Sequence, residues 1–257
     1  MSSVRVVLMV VVAAGIGVSC GGGDRLVTDD ADASLAESRE VSEPLPAGVN
    51  PPAAATAQPM AAAATVQLEQ PAVWPAADVV FDTPEEAAAD FMGDYLDERP
   101  GGVLSEFRPG DSRSGEIDVE YIDEVTGEDG VLSTLLMRQL GPNDGWFVLA
   151  AVNERVTITS PESGSTIAPG PVTVEGIGQG HESTIHVSAY PAGDHNQLDV
   201  TFTSGGLYEP APYSATLDLS AAPPGFVAIQ VSGDSGRTND MGPTAVIPVN
   251  IGLPGTR

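Results

Sequence analysis

A series of short apolar segments separated by turn-forming residues is the feature that most restricts how this chain can fold. Seven such segments follow the middle of the chain, near residues 156–159, 172–176, 184–190, 197–203, 213–219, 226–231 and 245–251. The connections between them are rich in Gly, Pro, Ser and Asp, and no helical period crosses them. Short strands at this regular spacing predict an all-β sandwich of about seven strands over residues 154–252.

Proline and cysteine usage refine this prediction. Pro248 lies inside the last segment, and proline has no N–H to donate to a strand ladder, so this strand is predicted at a sheet edge or at a bulge. The chain contains one cysteine, so it can form no internal disulfide. We therefore expect apolar packing alone to hold the sandwich together.

The region before the sandwich contains signals for one helix and three strands. Thr83 is a suitable N-cap, Pro84 suits the first helical turn, and Glu86 completes a capping box. The apolar face that follows has helical spacing and consists of Ala88, Phe91, Met92 and Tyr95. The stretches EIDVEYI, VLSTLLMRQL and WFVLAAV then predict three strands. Residues 76–153 are thus predicted to form a small α+β domain, one helix on a three-stranded antiparallel sheet, which meets the sandwich near Asn153–Arg155.

Residues 1–19 have the layout of a secretory signal. Arg5 precedes an apolar run over residues 6–18, which is shorter than the roughly 20 residues of a membrane-spanning helix. Cys20 follows directly, and the stretch resembles a bacterial lipoprotein signal, which is removed before a cysteine that carries lipid. Gly17 departs from that pattern, which usually has Leu, Val or Ile there. An ordinary secretory signal with an incidental cysteine is the alternative.

Residues 20–75 are predicted to be a disordered Pro- and Ala-rich tether, because prolines interrupt every apolar period. Trp74 lies near its end, and two roles are open for this residue. It docks on the first domain, or it stays exposed as a contact residue for a ligand. Residues 253–257 are predicted to be a short tail.

The sandwich region also carries a family resemblance. The stretches ITSPESGSTIAPGPVTVEGIG, STIHVSAYPAGD and PYSATLDL resemble the immunoglobulin-like domain named for bacterial spore-germination proteins, over roughly Val156 to Ile251. The preceding region is similar to segments found before such domains in bacterial surface lipoproteins. The resemblance implies an extracytoplasmic, non-catalytic module, and it supplies no catalytic residues.

Charge excludes one class of partner. The chain has 36 acidic and 10 basic residues, a net charge of −26, and every basic residue is Arg. Phosphate recognition requires clusters of basic residues, so nucleic-acid binding is not expected. The acidity leaves a saline habitat, a cation-rich cell wall and simple solubility open as explanations.

Catalytic and metal motifs are weak. Ser235 lies in a Gly-Asp-Ser-Gly sequence, but the second glycine and the histidine motif of chymotrypsin-like proteases are missing. The three histidines lack zinc-ligand spacing, and no cofactor is expected. Calcium has weak candidates in an acidic turn, which lacks the pattern of a calcium-binding loop; they are Asp234, Asn239 and Asp240.

Arg108 and Arg113 stand out against the acidic background as candidate ligand-binding residues, together with Trp74. The two arginines can hold an anionic ligand or neutralise neighbouring carboxylates, and the second role is the commoner one.

These features predict a lipoprotein held outside the cytoplasm at the cell membrane through lipid on Cys20. Its head is expected to be a non-catalytic binding or scaffolding module with a protein or cell-wall partner. Two alternatives are a hydrolase acting on the wall or another polymer, and a small-ligand receptor with a pocket formed by Phe91, Tyr95 and Trp146.

Overall fold

The computed structural model describes residues 68–95, 102–122, 129–236 and 242–252. All of them belong to one compact unit, Met60–Arg257, and the other unit, Met1–Pro59, contains no described residue. The predicted signal, Cys20, most of the tether and the tail therefore lie outside the described residues. Within the described ranges, no helix is long and apolar enough to span a bilayer.

The helical part is small. The helix α1 (Pro84–Asp90) continues into a π-helical turn (Phe91–Tyr95), and a 3-10 turn lies at His181–Ser183. Thr83 caps α1 as predicted, because its Oγ1 accepts a hydrogen bond from the N–H of Glu86 at 3.3 Å. The buried face of the helix includes Ala87 and Ala88, so the helix is anchored by packing on the sheet.

The strands of the described residues account for most of the fold. They are β1 (Gly102–Leu104), β2 (Arg108–Pro109), β3 (Ser114–Ile122), β4 (Asp129–Leu140), β5 (Gly145–Val152), β6 (Thr157–Ser160), β7 (Thr166–Ile167), β8 (Pro171–Gly178), β9 (Thr184–Pro191), β10 (Asp199–Ser204), β11 (Ala211–Asp218), β12 (Gly225–Gly233) and β13 (Thr244–Ile251). The seven strands predicted after residue 155 correspond to β6 and to β8 through β13. The two-residue strand β7 has no predicted counterpart.

The strands form two sheets. Ten strands of the described chain make the larger sheet, in the order β1-β3-β4-β5-β13-β12-β9-β10, with β2 beside β3 and β7 beside β13. The smaller sheet has the order β11-β8-β6. These strand pairings are antiparallel except that of β7 with β13. The protein is thus mostly antiparallel sheet with one short helix, an architecture compatible with a β-sandwich.

The predicted separate sheet of three strands in residues 76–153 is not what the structure shows. The three predicted strands are β3, β4 and β5, but β1 and β2 extend their edge, and β5 pairs with β13 through Ala151 and Val246. Alternation in a sequence identifies a strand, whereas its neighbours are decided by long-range packing. The sheet therefore continues from the first region into the second.

The two larger hydrophobic cores of the described residues lie on opposite faces of this continuous sheet, and a small third cluster consists of Ala72, Leu140 and Phe147. In β12, Ala228 belongs to the core around α1, which we call the helix core, whereas Val227 and Ile229 belong to the core against the smaller sheet, the sandwich core. In β13, Val246 belongs to the helix core and Ala245 to the sandwich core. Successive residues of a strand point to opposite faces, so β12 and β13 form part of the wall of both cores.

The position of Pro248 explains how β13 can contain proline in the interior of a sheet. Pro248 pairs with Ala228 of β12, but its carbonyl accepts a hydrogen bond from the N–H of Gly164 at 2.7 Å, on the side away from β12. On that side β5 pairs at Val246 and β7 pairs from Asn250 onward. The missing N–H therefore faces a gap between two neighbouring strands and leaves the ladder with β12 intact.

The predicted tether boundary at residue 75 needs a correction. Val73 is fully buried, and Trp74 is 5% exposed, so this part of the chain packs into the fold. The backbone of Val73 and Trp74 bonds to Val148 of β5, and the carbonyl of Val73 accepts from Gly193 at 2.9 Å. We call residues 68–76 the strap. The composition of the segment suggested a tether, but four consecutive buried residues, Ala72 to Pro75, provide enough apolar surface to dock.

Candidate functional site

The solvent face of β3, β4 and β5 is the surface opposite the helix core. Glu116, Asp118 and Glu120 alternate with buried residues along β3, so their side chains share this face. Asp118 lies opposite Thr134 of β4, which in turn lies opposite Val152 of β5. The face therefore combines a row of carboxylates with neighbouring hydroxyl and apolar groups.

A groove of about 650 Å³ lies on this face. Two valines, Val131 of β4 and Val152 of β5, are 46% and 43% exposed within it. The other lining residues are Glu116, Thr134, Asn153, Glu154 and Arg155. The groove thus lies where β5 ends and the chain enters the second region.

Asn153 fixes the geometry of this junction. Its side-chain amide donates to the carbonyl of Leu132 at 2.9 Å, and its Oδ1 accepts from the backbone N–H of Arg155 at 2.7 Å and of Val156 at 3.2 Å. One side chain therefore links backbone carbonyls of β4 to backbone N–H groups of the turn that follows β5. This arrangement holds Glu154 and Arg155 beside the sheet, where they form one end of the groove.

Arg108 binds two carboxylates of the same sheet face. Its Nη1 and Nη2 donate to the two oxygens of Asp118 at 2.5 and 2.9 Å, and Nη2 also donates to Glu116 at 3.3 Å. Thr134 Oγ1 donates to Asp118 at 2.7 Å. Such a bidentate pair is geometrically specific and stronger than a single ionic contact.

The charge state of this cluster follows from these contacts. The hydrogen bond from Arg108 lowers the pKa of Asp118, the bond from Thr134 adds to this effect, and partial burial opposes it. The same pair raises the pKa of Arg108 above its usual value. Asp118 is therefore a fixed anion at neutral pH, and it is poorly suited to act as a general acid.

A second, smaller groove of about 340 Å³ adjoins the Arg108 cluster. It shares Glu116 with the larger groove, and the apolar side chains of Leu136 and Leu149 also line it. The two grooves lie along the same sheet face, so an elongated ligand can contact both.

Arg113 lies on the neighbouring turn and forms an ion pair with Asp144 of the β4–β5 turn, at 2.7 Å. Both side chains are exposed, at 43% and 68%, so the pair contributes little to stability. The structure therefore places the guanidinium groups of both candidate arginines against carboxylates of the chain itself.

The aromatic candidates lie in the helix core or beside it. Trp74 donates its indole N–H to Asp90 at 2.7 Å and packs edge-on against Phe91 at 6.4 Å between ring centroids. Trp146 is 8% exposed and contacts Phe107 edge-on at 5.2 Å. Phe91 and Trp146 thus serve as packed core residues, and the side chain of Tyr95 lies outside the described residues.

The remaining candidates are dispersed. Asp234 accepts from the N–H of Gly236 at 2.9 Å in a turn after β12, whereas Asn239 and Asp240 lie outside the described residues. Ser235 belongs to the same turn. His186 contacts Phe202 edge-on at 4.5 Å on the exposed side of β9 and β10. Among the described residues, no group of three or more His, Cys, Asp or Glu side chains is placed to hold a metal ion.

The groove residues Val131, Val152 and Arg155 are not among the residues that the sequence singles out. The alternation in EIDVEYI does place Glu116, Asp118 and Glu120 on one face, and this pattern is the sequence signal that points to the site. The partners of that row depend on the register, which shifts at bulges in both the β3–β4 and β4–β5 pairings. Periodicity does not specify such shifts.

Comparison with known proteins adds no further information about the site. The chain matches no family model, no curated protein and no solved structure.

Proposed function

We propose that this protein is an extracytoplasmic lipoprotein whose head is a non-catalytic binding or scaffolding module at the cell surface. The observation that carries the binding role is the groove on the solvent face of β3 to β5. Its lining side chains are on strands or on a turn that Asn153 holds in place. A concave surface on rigid elements is pre-organised, which reduces the entropic cost of binding a partner.

Lipidation of Cys20 is the second part of the proposal, and it rests on the layout of the first twenty residues. The chain has a net charge of −26 and no lysine. Anionic membrane surfaces attract polybasic segments, so the protein part of this chain has no affinity of its own for them. Membrane attachment then has to come from acyl chains, and stable anchoring requires more than one of them.

The immunoglobulin-like assignment is also part of this proposal. The smaller sheet β11-β8-β6 faces β13, β12, β9 and β10 across the sandwich core, with the two-residue strand β7 beside β13, which supports an immunoglobulin-like arrangement of about seven strands. The spore-germination type of this domain rests on the sequence resemblance. The helix α1 on β3, β4 and β5 supports a small α+β region at the start of the head.

The charge state of the groove supports a binding role over hydrolysis. A hydrolase needs one carboxyl group with a raised pKa or an activated nucleophile beside a second reactive group. The pKa of Asp118, the carboxylate beside the groove, is lowered by Arg108. This is the property of a structural anion, which orders the surface around it.

The anchor is tested by the variant Cys20→Ser in the intact chain. We expect loss of lipid labelling and release of the protein from the membrane fraction, because the acyl chains are then absent. The head should keep its circular dichroism spectrum, since the core residues that the structure describes all lie at Leu68 or later in the chain. A variant that stays with the membrane fraction at high salt contradicts the lipoprotein proposal, and the apolar run 6–18 is then the anchor.

The binding role is tested by placing a photo-crosslinking amino acid at Val152 in intact cells. Val79, which is 41% exposed and does not line the groove, is the matched control position. We expect a discrete crosslinked product from position 152 and none from position 79. Equal products from both positions, or none from either, contradict the use of the groove as a binding surface.

A further inference from the structure

We infer that the groove binds a basic, partly apolar segment of another polypeptide in an extended conformation; this inference rests on the proposed function. The apolar part of the inference comes from Val131 and Val152, which both line the groove and are exposed in a surface otherwise rich in carboxylates. Covering these two side chains with an apolar group removes their surface from water, which favours binding.

The charge of the groove determines the sign of the ligand. Of the charged groups, Glu116, Glu154 and Arg155 line the groove, and Asp118 and Glu120 of β3 and Arg108 of β2 lie on the same sheet face. Arg108 pairs with Asp118 and Glu116, and four carboxylates against two guanidinium groups leave this face with a net negative charge. A cationic ligand therefore gains electrostatic energy here, whereas an anionic ligand is repelled.

The same charge argues against a second copy of this chain as the occupant. Two molecules with a net charge of −26 each repel one another, and the chain has 10 arginines and no lysine to offset this. The occupant is thus a different molecule. None of the lining residues is aromatic, so the groove offers no ring for a sugar to stack on.

The spacing of the carboxylates favours an extended peptide. Alternate residues of a β-strand are about 7 Å apart, so Glu116, Asp118 and Glu120 repeat at that interval along β3. A peptide with basic residues at alternate positions has the same repeat when it is extended. When such a peptide lies edge-on to the sheet, its basic side chains point toward β3 and its intervening apolar side chains point toward the valines of β4 and β5.

The test measures binding of three fluorescently labelled pentapeptides to the intact chain by anisotropy. Their sequences are Lys-Val-Lys-Val-Lys, Glu-Val-Glu-Val-Glu and Ser-Val-Ser-Val-Ser. We expect the basic peptide to bind most tightly, and its affinity to fall as salt rises from about 20 to about 150 mM. The variant Glu154→Gln should weaken binding of the basic peptide about threefold. Val152→Arg blocks the groove and adds positive charge, so it should weaken that binding about tenfold or more.

The matched control is Glu162→Gln, which removes one exposed carboxylate elsewhere and should leave the affinity unchanged. Equal binding of the three peptides, equal effects of Glu154→Gln and Glu162→Gln, or no binding of the basic peptide overturns the inference. If the acidic or neutral peptide binds best and Val152→Arg abolishes that binding, the groove remains a binding surface with a different ligand. The binding role in the proposed function fails only if crosslinking from Val152 in cells is also absent or equal to that from Val79.

Discussion

The indole N–H of Trp74 donates a 2.7 Å hydrogen bond to the carboxylate of Asp90, and this bond fastens the strap to the end of α1. The strap also pairs with Val148 of β5 and bonds to Gly193 in the turn after β9. One segment of nine residues therefore contacts the helix, the sheet of the first region and a turn of the second. The strap is therefore part of the fold.

The bond between Trp74 and Asp90 can be tested through its acceptor. Asp90→Ala leaves the indole N–H without this charged acceptor, so we expect the free energy of unfolding to fall by about 1–2 kcal/mol. Denaturant unfolding of the intact chain measures this change. Asp78→Ala, at an exposed position near the strap, is the control and should change stability by less than about 0.5 kcal/mol. Equal effects of the two variants would mean that the bond contributes nothing.

The fit of the strap against the second region depends on Gly193. Its φ is +74°, and an added Cβ would lie 2.2 Å from the backbone nitrogen of Ala76. Gly141 also has a φ of +74°, but its added Cβ meets only a methyl group of Leu68 at 3.5 Å. Gly193→Ala and Gly141→Ala thus share the same backbone cost and differ in the clash with the strap. We expect the free energy of unfolding of Gly193→Ala to be about 2 kcal/mol lower than that of Gly141→Ala. Thermal and denaturant unfolding measure this difference. Similar free energies of unfolding for both variants would show that the strap moves away from the added Cβ at no cost.

Asp118 should make stability depend on pH at the acidic end. Its pKa is lowered in the folded protein, chiefly by the hydrogen bond from Arg108. The unfolded state therefore binds a proton first as pH falls, and stability declines from near the ordinary Asp pKa of about 3.9 downward. The contribution is fully present above that range. Asp118→Asn removes this term, so unfolding curves between about pH 5 and pH 2 should flatten relative to Asp144→Asn. A steeper curve for Asp118→Asn would contradict the assignment.

The fragment 154–257 tests how independent the sandwich is. Its own strands supply the sandwich core, so we expect a folded β protein by circular dichroism. Ala228 and Val246, which are fully buried in the intact chain, lose their cover in the fragment. We therefore expect the fragment to have a lower Tm than the intact chain and to self-associate in sedimentation experiments. Val246→Thr in the fragment should reduce both the loss of Tm and the self-association. An unstructured fragment would mean that residues 68–252 form a single folding unit.

Local sequence signals were sufficient for the elements themselves. Thr83 and Pro84 start a helix because an N-cap and a proline at the first turn act within a few residues. Alternation located β8 and β11, whose buried and exposed residues alternate along most of each strand. These signals depend on neighbouring residues, so a single sequence carries them.

The tertiary structure alone decided the docking of the strap, the pairing of β5 with β13 and the location of the groove. Each depends on groups far apart in the chain, such as Val73 with Gly193 or Ala151 with Val246. It also decided that Arg108 neutralises Asp118 and Glu116, because the register of β2 on β3 brings them together. The sequence by itself determined roughly where the longer strands lie, where the helix begins and how strongly acidic the chain is. Which faces meet is set by the burial of apolar surface over the whole chain, a property that no short segment contains.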